Sequence, residues 1–275
     1  MARSSYYHWR ARQERAPSER ERKNAELLEK IKAVFEKHKG RYGSPRVHAE
    51  LKNQQVACSL GRVKRLMRRA GLYAVSGAKY RAKYERCDLE TRNLLLEQPR
   101  PTAINQVWHV DITYIPTAEG WLYLAGVMDG FSKRVVGYAM ADNMKTDLVL
   151  QALRSATTRR KPPPGLIHHG DRGSQYTSYA YQRELEAHKM RSSFTGKGAC
   201  FDNAVIESFW ATLKRELVYP LERFATRDDA RVAVFEYIEV YYNRERLHSS
   251  LNYETPDIFE LSQQQKENQE VSLAA

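Results

Sequence analysis

The sequence predicts an all-α, helix-turn-helix-like portion followed by an α/β domain with a mixed sheet. Before residue 100, apolar side chains recur every three or four positions, whereas later segments alternate or form short apolar runs. The charged residues are also distributed unevenly between these two portions. The first 100 residues carry 25 Lys and Arg against 11 Asp and Glu, and the remainder carries 20 against 22, within a total of +12. This asymmetry indicates a front half that binds a polyanion.

Two helices are predicted first in the front portion. The first begins at Ser18, which has the spacing to form a capping box with Glu21, and it closes at Gly40. The second has Ser44 as its expected N-cap and Pro45 at the first helical position, where proline is favoured. The short loop between them is typical of small helical domains.

A third helix, predicted from Ser59 to Gly71, has one apolar and one basic face. The apolar positions expected inside are Leu60, Val63, Leu66 and Met67. The basic face carries five cations and no acid, and its predicted DNA-binding residues are Arg62, Lys64, Arg65, Arg68 and Arg69. Two short helices, the second much more basic, favour a helix-turn-helix that binds DNA. A small bundle with a solvated basic surface is the alternative.

These patterns divide the chain into five parts. They are a basic N-terminal tail (1–22), a helix-turn-helix-like domain (23–75), a basic linker (76–101), the α/β core with its C-terminal helices (102–262) and a polar tail expected to be disordered (263–275). No window approaches the roughly 18 apolar residues that span a bilayer. The N-terminus also lacks the apolar segment of a secretory signal, so no membrane association is expected.

Cysteine usage points to a reducing compartment. Cys58, Cys87 and Cys200 are isolated, and no C-x-x-C spacing occurs. A disulfide framework or a cysteine-based zinc site is therefore not expected, and a cytoplasmic location is.

The α/β portion is predicted to contain three antiparallel strands, then helix, strand, helix, strand and helix. The strand segments are "QVWHVDITYIP", "GWLYLAGVMDGFS", "KRVVGYAMADN", "LIH" and "MRSSFT". The helices are "KTDLVLQALRSATTRR", a segment near 179–188 and "AVIESFWATLKREL". This order predicts a mixed sheet flanked by helices. Three tryptophans are expected in its core: Trp108, Trp121 and Trp210.

Three acids stand out by their placement. Asp111 lies mid-strand, Asp171 follows a buried strand, and Glu207 lies one turn into a helix. Carboxylates that converge from separate elements repel unless a hard cation neutralises them, and Mg²⁺ or Mn²⁺ prefers such ligands. Two such ions can stabilise the attacking and leaving oxygens of phosphoryl transfer. The alternatives are a surface Asp111, a turn-forming Asp171 and a helix-capping Glu207.

Several motifs together resemble a known family. They are "RYGSPRVHAEL", "VWHVDITYI", "HHGDRGSQYTS", "KGACFDNAVIESFWATLKREL" and "YYNRERLHSSLNYETP", and 35 residues separate Asp171 from Glu207. The chain resembles the second-frame catalytic subunit of bacterial insertion-sequence transposases of the insertion-sequence-three family, which are related to retroviral integrases. Gly170 stands where the family usually has a serine before the second aspartate.

The resemblance implies a ribonuclease-H-like core with a mixed five-stranded sheet flanked by helices. It implies a DDE-type polynucleotidyl transferase with Asp111, Asp171 and Glu207 as catalytic and metal-binding residues. These residues are implied to bind two divalent ions, either Mg²⁺ or Mn²⁺. The implied reaction is hydrolysis at the element's end followed by attack of the freed 3′-hydroxyl on a second strand. The implied partners are double-stranded DNA of the element ends and target, further copies of the chain in a synaptic complex, and an upstream-frame protein. The implied location is the nucleoid.

Other cations near these motifs are candidate phosphate contacts: Arg172, Lys197 and Lys214. Asn203 is expected to fix the loop ahead of Glu207, and for each of these residues a capping or solvated role is the alternative. His168 and His169 are adjacent in a strand and so point to opposite faces, which disfavours a zinc site. Two other functions stay open, a DNA-binding regulator without catalysis and a simple metal-dependent nuclease.

Overall fold

The computed structural model describes residues 18–75, 93–96, 98, 100–196 and 203–274. The chain divides into two compact units, residues 1–76 and residues 77–275. None of the described helices combines the length and apolar character needed to cross a membrane.

Three helices form the described part of the first unit: α1 (Glu19–Lys37), α2 (Ser44–Asn53) and α3 (Leu60–Arg69). Ser18 and Glu21 cap α1 reciprocally, as predicted, with Glu21 N–H donating to Ser18 Oγ at 3.3 Å. Helix α1 therefore begins inside the segment predicted as the N-terminal tail. The buried side chains that join the three helices are Leu27, Ile31, Val34, Val47, Leu51, Val63, Leu66 and Met67.

Two details of this unit differ from the sequence-based expectation. The N-cap of α2 is Gly43 rather than Ser44, so Pro45 occupies the second helical position, where a backbone N–H would have no intrahelical acceptor and its absence costs no hydrogen bond. Leu60 was expected inside but is 43% exposed. It is the first residue of α3, and no preceding turn of that helix completes a buried face around it.

The second unit is built on a five-stranded mixed sheet with strand order β3-β2-β1-β4-β5. Strands β1 (Val107–Thr117), β2 (Gly120–Asp129) and β3 (Val135–Ala141) form an antiparallel meander. Strands β4 (Ile167–Gly170) and β5 (Arg191–Phe194) add to β1 in parallel. This arrangement confirms the predicted ribonuclease-H-like sheet, with β1 at its centre.

Helices cover both faces of the sheet. Helices α4 (Thr146–Arg160) and α5 (Tyr179–Ala187) pack on one face, and α6 (Ala204–Leu213) and α7 (Arg227–Phe235) pack on the other. Consequently β1 is buried on both sides for most of its length. Trp108 and Trp210 are buried as predicted, but Trp121 is 48% exposed. Trp121 lies at the hairpin end of β2, where its ring meets the edge of the equally exposed Tyr114 ring at 4.9 Å.

A buried ion pair, joined by a tyrosine hydroxyl, stabilises the packing of the helices that follow α6. That helix continues as a π-helical turn, Lys214–Val218, which carries Glu216 into the interior. Arg246 Nη2 donates to Glu216 Oε1 at 2.8 Å, and Tyr237 Oη donates to Glu216 Oε2 at 2.8 Å. Because all three groups are buried and mutually bonded, the pair avoids the cost of an isolated interior charge.

The C-terminal helix α8 (Pro256–Ala274) contradicts the expected disorder of residues 263–275. After Pro256 the sequence has neither proline nor glycine and is rich in Gln and Glu, which favour helices. Its first turns are anchored by the buried Glu260, which accepts hydrogen bonds from Arg160 Nη2 and Ser132 Oγ, each at 2.6 Å.

The end of the predicted linker packs on the sheet. Leu94–Leu96 forms a 3₁₀ turn, and Leu94 is buried against Val107 and Ile167. The backbone N–H of Leu94 donates to Ser193 Oγ at 3.0 Å. Residues 76–92, 97 and 99 of the linker lie outside the described residues.

The fold requires a glycine where α4 crosses β3. A Cβ on Gly137 would lie 2.5 Å from Ala156 N and 2.6 Å from Ala152 O, which are backbone atoms that cannot turn aside. We expect Gly137→Ala to lower the free energy of unfolding by about 1–3 kcal/mol in urea denaturation. Gly61→Ala is the control, since nothing lies within 4 Å of its added methyl. Native-like stability of Gly137→Ala would contradict this packing.

Candidate active site

The pairing of β1 with β4 places two aspartates side by side. The parallel register joins Val107 to Ile167 and His109 to His169. Asp111 lies two residues after His109, and Asp171 lies two residues after His169, just past the end of β4. The strands approach closely at this point, because a Cβ on Gly170 would lie 2.7 Å from Val110 Cγ2.

Helix α6 packs close to Asp111 because a glycine in β2 leaves space for one of its side chains. Gly126 pairs with Asp111 in the antiparallel register, and its missing side chain admits the Trp210 ring, which a Cβ there would meet at 2.7 Å. Trp210 Nε1 donates to Asp111 Oδ2 at 3.1 Å, and Ile112 N–H donates to Oδ1 at 2.8 Å. Glu207 lies one helical turn before Trp210 and is half-buried.

Asn203 ties the N-terminal end of α6 to β1. Its Nδ2 donates to Val110 O at 3.0 Å, and its Oδ1 lies 3.2 Å from His109 Nδ1. The Val110 carbonyl can only accept, so the amide orientation is fixed and His109 Nδ1 must be the donor. Burial, followed by the neighbouring His169, lowers the pKa of His109 to about 3, so the ring is neutral. This contact supports the predicted role of Asn203 in fixing the chain ahead of Glu207.

The electrostatics of Asp111 report the convergence of the three acids. Burial, followed by the charges of Asp171 and Glu207, raises the pKa of Asp111 to about 7 against the opposing effects of the Ile112 and Trp210 donors. Burial also raises the pKa of Asp171, although Gly173 N–H donates to its Oδ1 at 2.9 Å. The structure therefore brings Asp171 and Glu207 within electrostatic reach of Asp111.

The donor chemistry fits a hard divalent cation. No three His, Cys, Asp or Glu side chains in the described ranges form a ready-made metal cluster. Ionised carboxylates repel one another when no cation lies between them. In addition to burial, the charges of Asp171 and Glu207 raise the pKa of Asp111 for this reason. Three carboxylates supply only oxygen ligands, which Mg²⁺ and Mn²⁺ prefer over softer donors.

The candidate phosphate contacts of this unit have different surroundings. Lys214 Nζ lies over the Tyr114 ring, 4.4 Å from its centroid, and the charge of Asp111 partly offsets the lowering of the Lys214 pKa by burial. Arg172 Nε donates to the carbonyl of Thr195 at 3.0 Å, which fixes its guanidinium against the chain just after β5. Lys197 lies outside the described residues.

In the first unit, four of the five predicted DNA-binding cations are exposed on α3: Lys64, Arg65, Arg68 and Arg69. Arg62 is half-buried, and its Nε donates to Asn24 Oδ1 at 2.8 Å. Arg62 and Arg65 line a groove of about 440 Å³ together with Arg20 and Lys23 of α1. The groove also contains the acid Glu19, whose Oε1 lies 2.6 Å from Lys23 Nζ and partly neutralises the positive charge on the α1 side.

The two histidines of β4 have structural partners. His168 Nε2 lies 2.9 Å from Tyr181 Oη, and His169 Nδ1 lies 2.9 Å from Ser193 Oγ. Their hydrogen bonds therefore run to α5 and β5, the helix and strand beside β4. The sequence analysis missed the bond from Trp210 to Asp111, because a tryptophan in an apolar helix indicates only burial.

Comparisons with known proteins agree with this architecture. The chain matches family models described as "Integrase core domain" over residues 101–200 and again over 188–256. It matches "HTH-like domain" over residues 21–80.

Curated relatives match almost end to end. The transposase for insertion sequence element IS904 of Lactococcus lactis subsp. lactis (strain IL1403) is 46% identical, over 90% of this chain and 98% of that protein. Transposase InsF for insertion sequence IS3A of Escherichia coli (strain K12) is 41% identical, over 94% and 90%. Among solved structures, the HTLV-2 integrase catalytic core domain in complex with magnesium is 15% identical, over 56% of this chain and 95% of that chain, with a TM-score of 0.42.

Asp111→Asn should make the stability of the metal-free protein less dependent on pH. The folded-state pKa of Asp111, about 7, exceeds the ordinary value of 3.8 for an aspartate. The native protein therefore loses stability as the pH rises from 4 to 7, by roughly 2 kcal/mol after solvent screening. Denaturation in EDTA at pH 5 and pH 8 would measure this loss, which the variant should lack. Asp142→Asn, at an exposed carboxyl, controls for the substitution, and equal pH slopes in Asp111→Asn and the native protein would contradict the expectation.

Proposed function

The chain belongs to the insertion-sequence transposases that carry an integrase core domain, and we propose that Asp111, Asp171 and Glu207 form its catalytic site. As a DDE-type transposase it catalyses DNA transposition. The proposed site holds two Mg²⁺ or Mn²⁺ ions, in keeping with the use of divalent metals across this enzyme family.

The observation that carries the assignment is the meeting of β1, the end of β4 and α6 at Asp111, whose pKa is raised by burial and by the charges of Asp171 and Glu207. These residues come from two adjacent strands and the helix that crosses them, so their meeting depends on the whole fold. A non-catalytic DNA-binding regulator would have no need for three acids held together at a cost in stability. This favours an enzyme over the regulator.

The proposed reaction has two steps. Water attacks a phosphodiester at the element's end and releases a 3′-hydroxyl, which then attacks a phosphodiester of a second strand and displaces its 3′ oxygen. Bound divalent ions would activate the attacking oxygen and offset charge on the leaving one. The protein's own part is positioning: Ile112 N–H and Trp210 Nε1 hold both oxygens of Asp111, and Asn203 holds α6 against β1.

Cations near the acids would bind the DNA backbone. Lys214 and Arg172 are the proposed contacts that the structure describes, and Lys197 is proposed from its place in the loop before α6. We assign end recognition to the helix-turn-helix-like segment 23–75, through the exposed cations of α3. The linker, 76–101, would connect it to the catalytic core, 102–262.

Assembly is also part of the proposal. Joining two element ends to one target requires at least two copies of the chain in a synaptic complex, and an upstream-frame protein would contribute further end recognition. We propose that this assembly acts at the nucleoid, where its DNA substrate lies.

Asp171→Asn should abolish metal-dependent cleavage and strand transfer while DNA binding stays within about twofold of native. The amide oxygen can still accept from Gly173 N–H, so the loop should keep its shape. The assay uses labelled terminal DNA of the element with Mg²⁺ or Mn²⁺, and a loss of roughly 100-fold or more is expected. Asp228→Asn, at an exposed carboxyl of α7, is the control. Full activity in Asp171→Asn would remove this residue from the mechanism, and cleavage without joined products in the native protein would favour the simple nuclease.

Replacing Arg65, Arg68 and Arg69 together by glutamine should weaken DNA binding and reduce its salt dependence. Each lost phosphate contact lowers the slope of log affinity against log salt by about 0.9. The matched control is the replacement of Lys30, Lys39 and Lys52, which removes the same charge from exposed positions outside α3. Filter binding from 50 to 300 mM salt would measure both. Identical slopes in the two triple variants would indicate that the basic face of α3 is solvated and makes no specific contribution to DNA binding.

A further inference from the structure

Tyr176 has a buried hydroxyl that the site described so far does not use. The residue is 3% exposed, and its Oη has no hydrogen-bond partner within the described part of the chain. Its backbone is fixed, because Tyr176 N–H donates to Gly173 O at 3.0 Å and Gln182 Nε2 donates to Tyr176 O at 2.6 Å. A buried hydroxyl without a partner costs free energy and calls for an explanation.

The Tyr176 ring lies against the point where the two aspartates leave their strands. A Cβ on Gly170 would lie 3.9 Å from Tyr176 Cδ2 and 2.7 Å from Val110 Cγ2. Gly170 and Val110 directly precede Asp171 and Asp111. Burial holds the pKa of Tyr176 well above its ordinary value, and the charges of Tyr181 and both aspartates add to this, so the hydroxyl stays a donor near those carboxylates.

A neighbouring tyrosine shows that this region can satisfy a buried phenol. The Tyr181 ring meets the Tyr176 ring edge-on, with centroids 5.4 Å apart and planes at 82°. Tyr181 is as deeply buried, at 1% exposure, but its Oη is hydrogen-bonded to His168 Nε2 at 2.9 Å. The two rings therefore share an environment and differ in whether the hydroxyl has a partner in the fold.

We propose that Tyr176 is a positioning residue of the two-aspartate site, whose hydroxyl becomes a donor to the carboxylates of Asp111 and Asp171 when they hold a divalent cation. This rests on the proposed role of the aspartates as metal ligands. Donors to ligating carboxylates orient those ligands and contribute to metal affinity.

The test compares Tyr176→Phe with Tyr181→Phe in the full chain by thermal denaturation. In EDTA we expect Tyr176→Phe to keep or raise the native melting temperature, because it removes a hydroxyl without a partner. Tyr181→Phe should melt about 2–4 °C lower, since His168 loses its bond. In a titration with Mn²⁺, Tyr176→Phe should need roughly tenfold more metal for half-maximal stabilisation. Tyr181→Phe should keep the native midpoint.

Two results would overturn the assignment of Tyr176. One is a native Mn²⁺ midpoint in Tyr176→Phe, and the other is a loss of stability in EDTA as large as that of Tyr181→Phe. Asp171→Asn, titrated in parallel, separates this inference from the proposed function. If Asp171→Asn loses its response to Mn²⁺ while Tyr176→Phe responds as native, only the inference about Tyr176 fails. If Asp171→Asn responds as native, the metal-ligand proposal fails and the inference fails with it.

Discussion

The burial of the Asp111 carboxylate beside two other acids is the constraint on which the proposed site depends. Burial and the charges of Asp171 and Glu207 oppose its ionisation, whereas the donors Ile112 N–H and Trp210 Nε1 and the charge of Lys214 favour it. The protein can hold this arrangement because Asp111 lies on the central strand, between two hydrophobic clusters that pack helices on both faces of the sheet. The stability of those clusters offsets a local cost that proton uptake or cation binding would relieve.

Most of the fold could be predicted from the sequence because its signals are local. The Ser18 cap, the alternating strands and the cationic α3 each follow from a few neighbouring residues. Composition misled in two places. The polar segment after residue 262 satisfies helix propensity as well as the pattern of disorder, and Trp121 lies at a hairpin end that the helices leave uncovered. In both cases the outcome depends on how neighbouring elements pack, which local patterns do not describe.

The site was predictable in its acids but not in their supports. Spacing and strand ends identify the carboxylates, whereas the bond from Trp210 depends on a pairing between separate strands that places Gly126 opposite Asp111. The same holds for Asn203, whose partners lie more than 90 residues away along the chain. Such polar bonds fix direction as well as proximity, so they determine how α6 is oriented on the sheet where hydrophobic burial alone would tolerate rotation.

Gly126 shows how far the requirements of a reactive centre extend. It belongs to a strand that supplies no proposed ligand, yet the indole that steadies Asp111 occupies the volume of its absent side chain. In a saturation-mutagenesis experiment this position would therefore behave like part of the chemistry, although it meets neither nucleic acid nor ion. Replacing the indole by a smaller ring together with the glycine would restore space but not the N–H, so steric and electronic compensation are separable at this one contact.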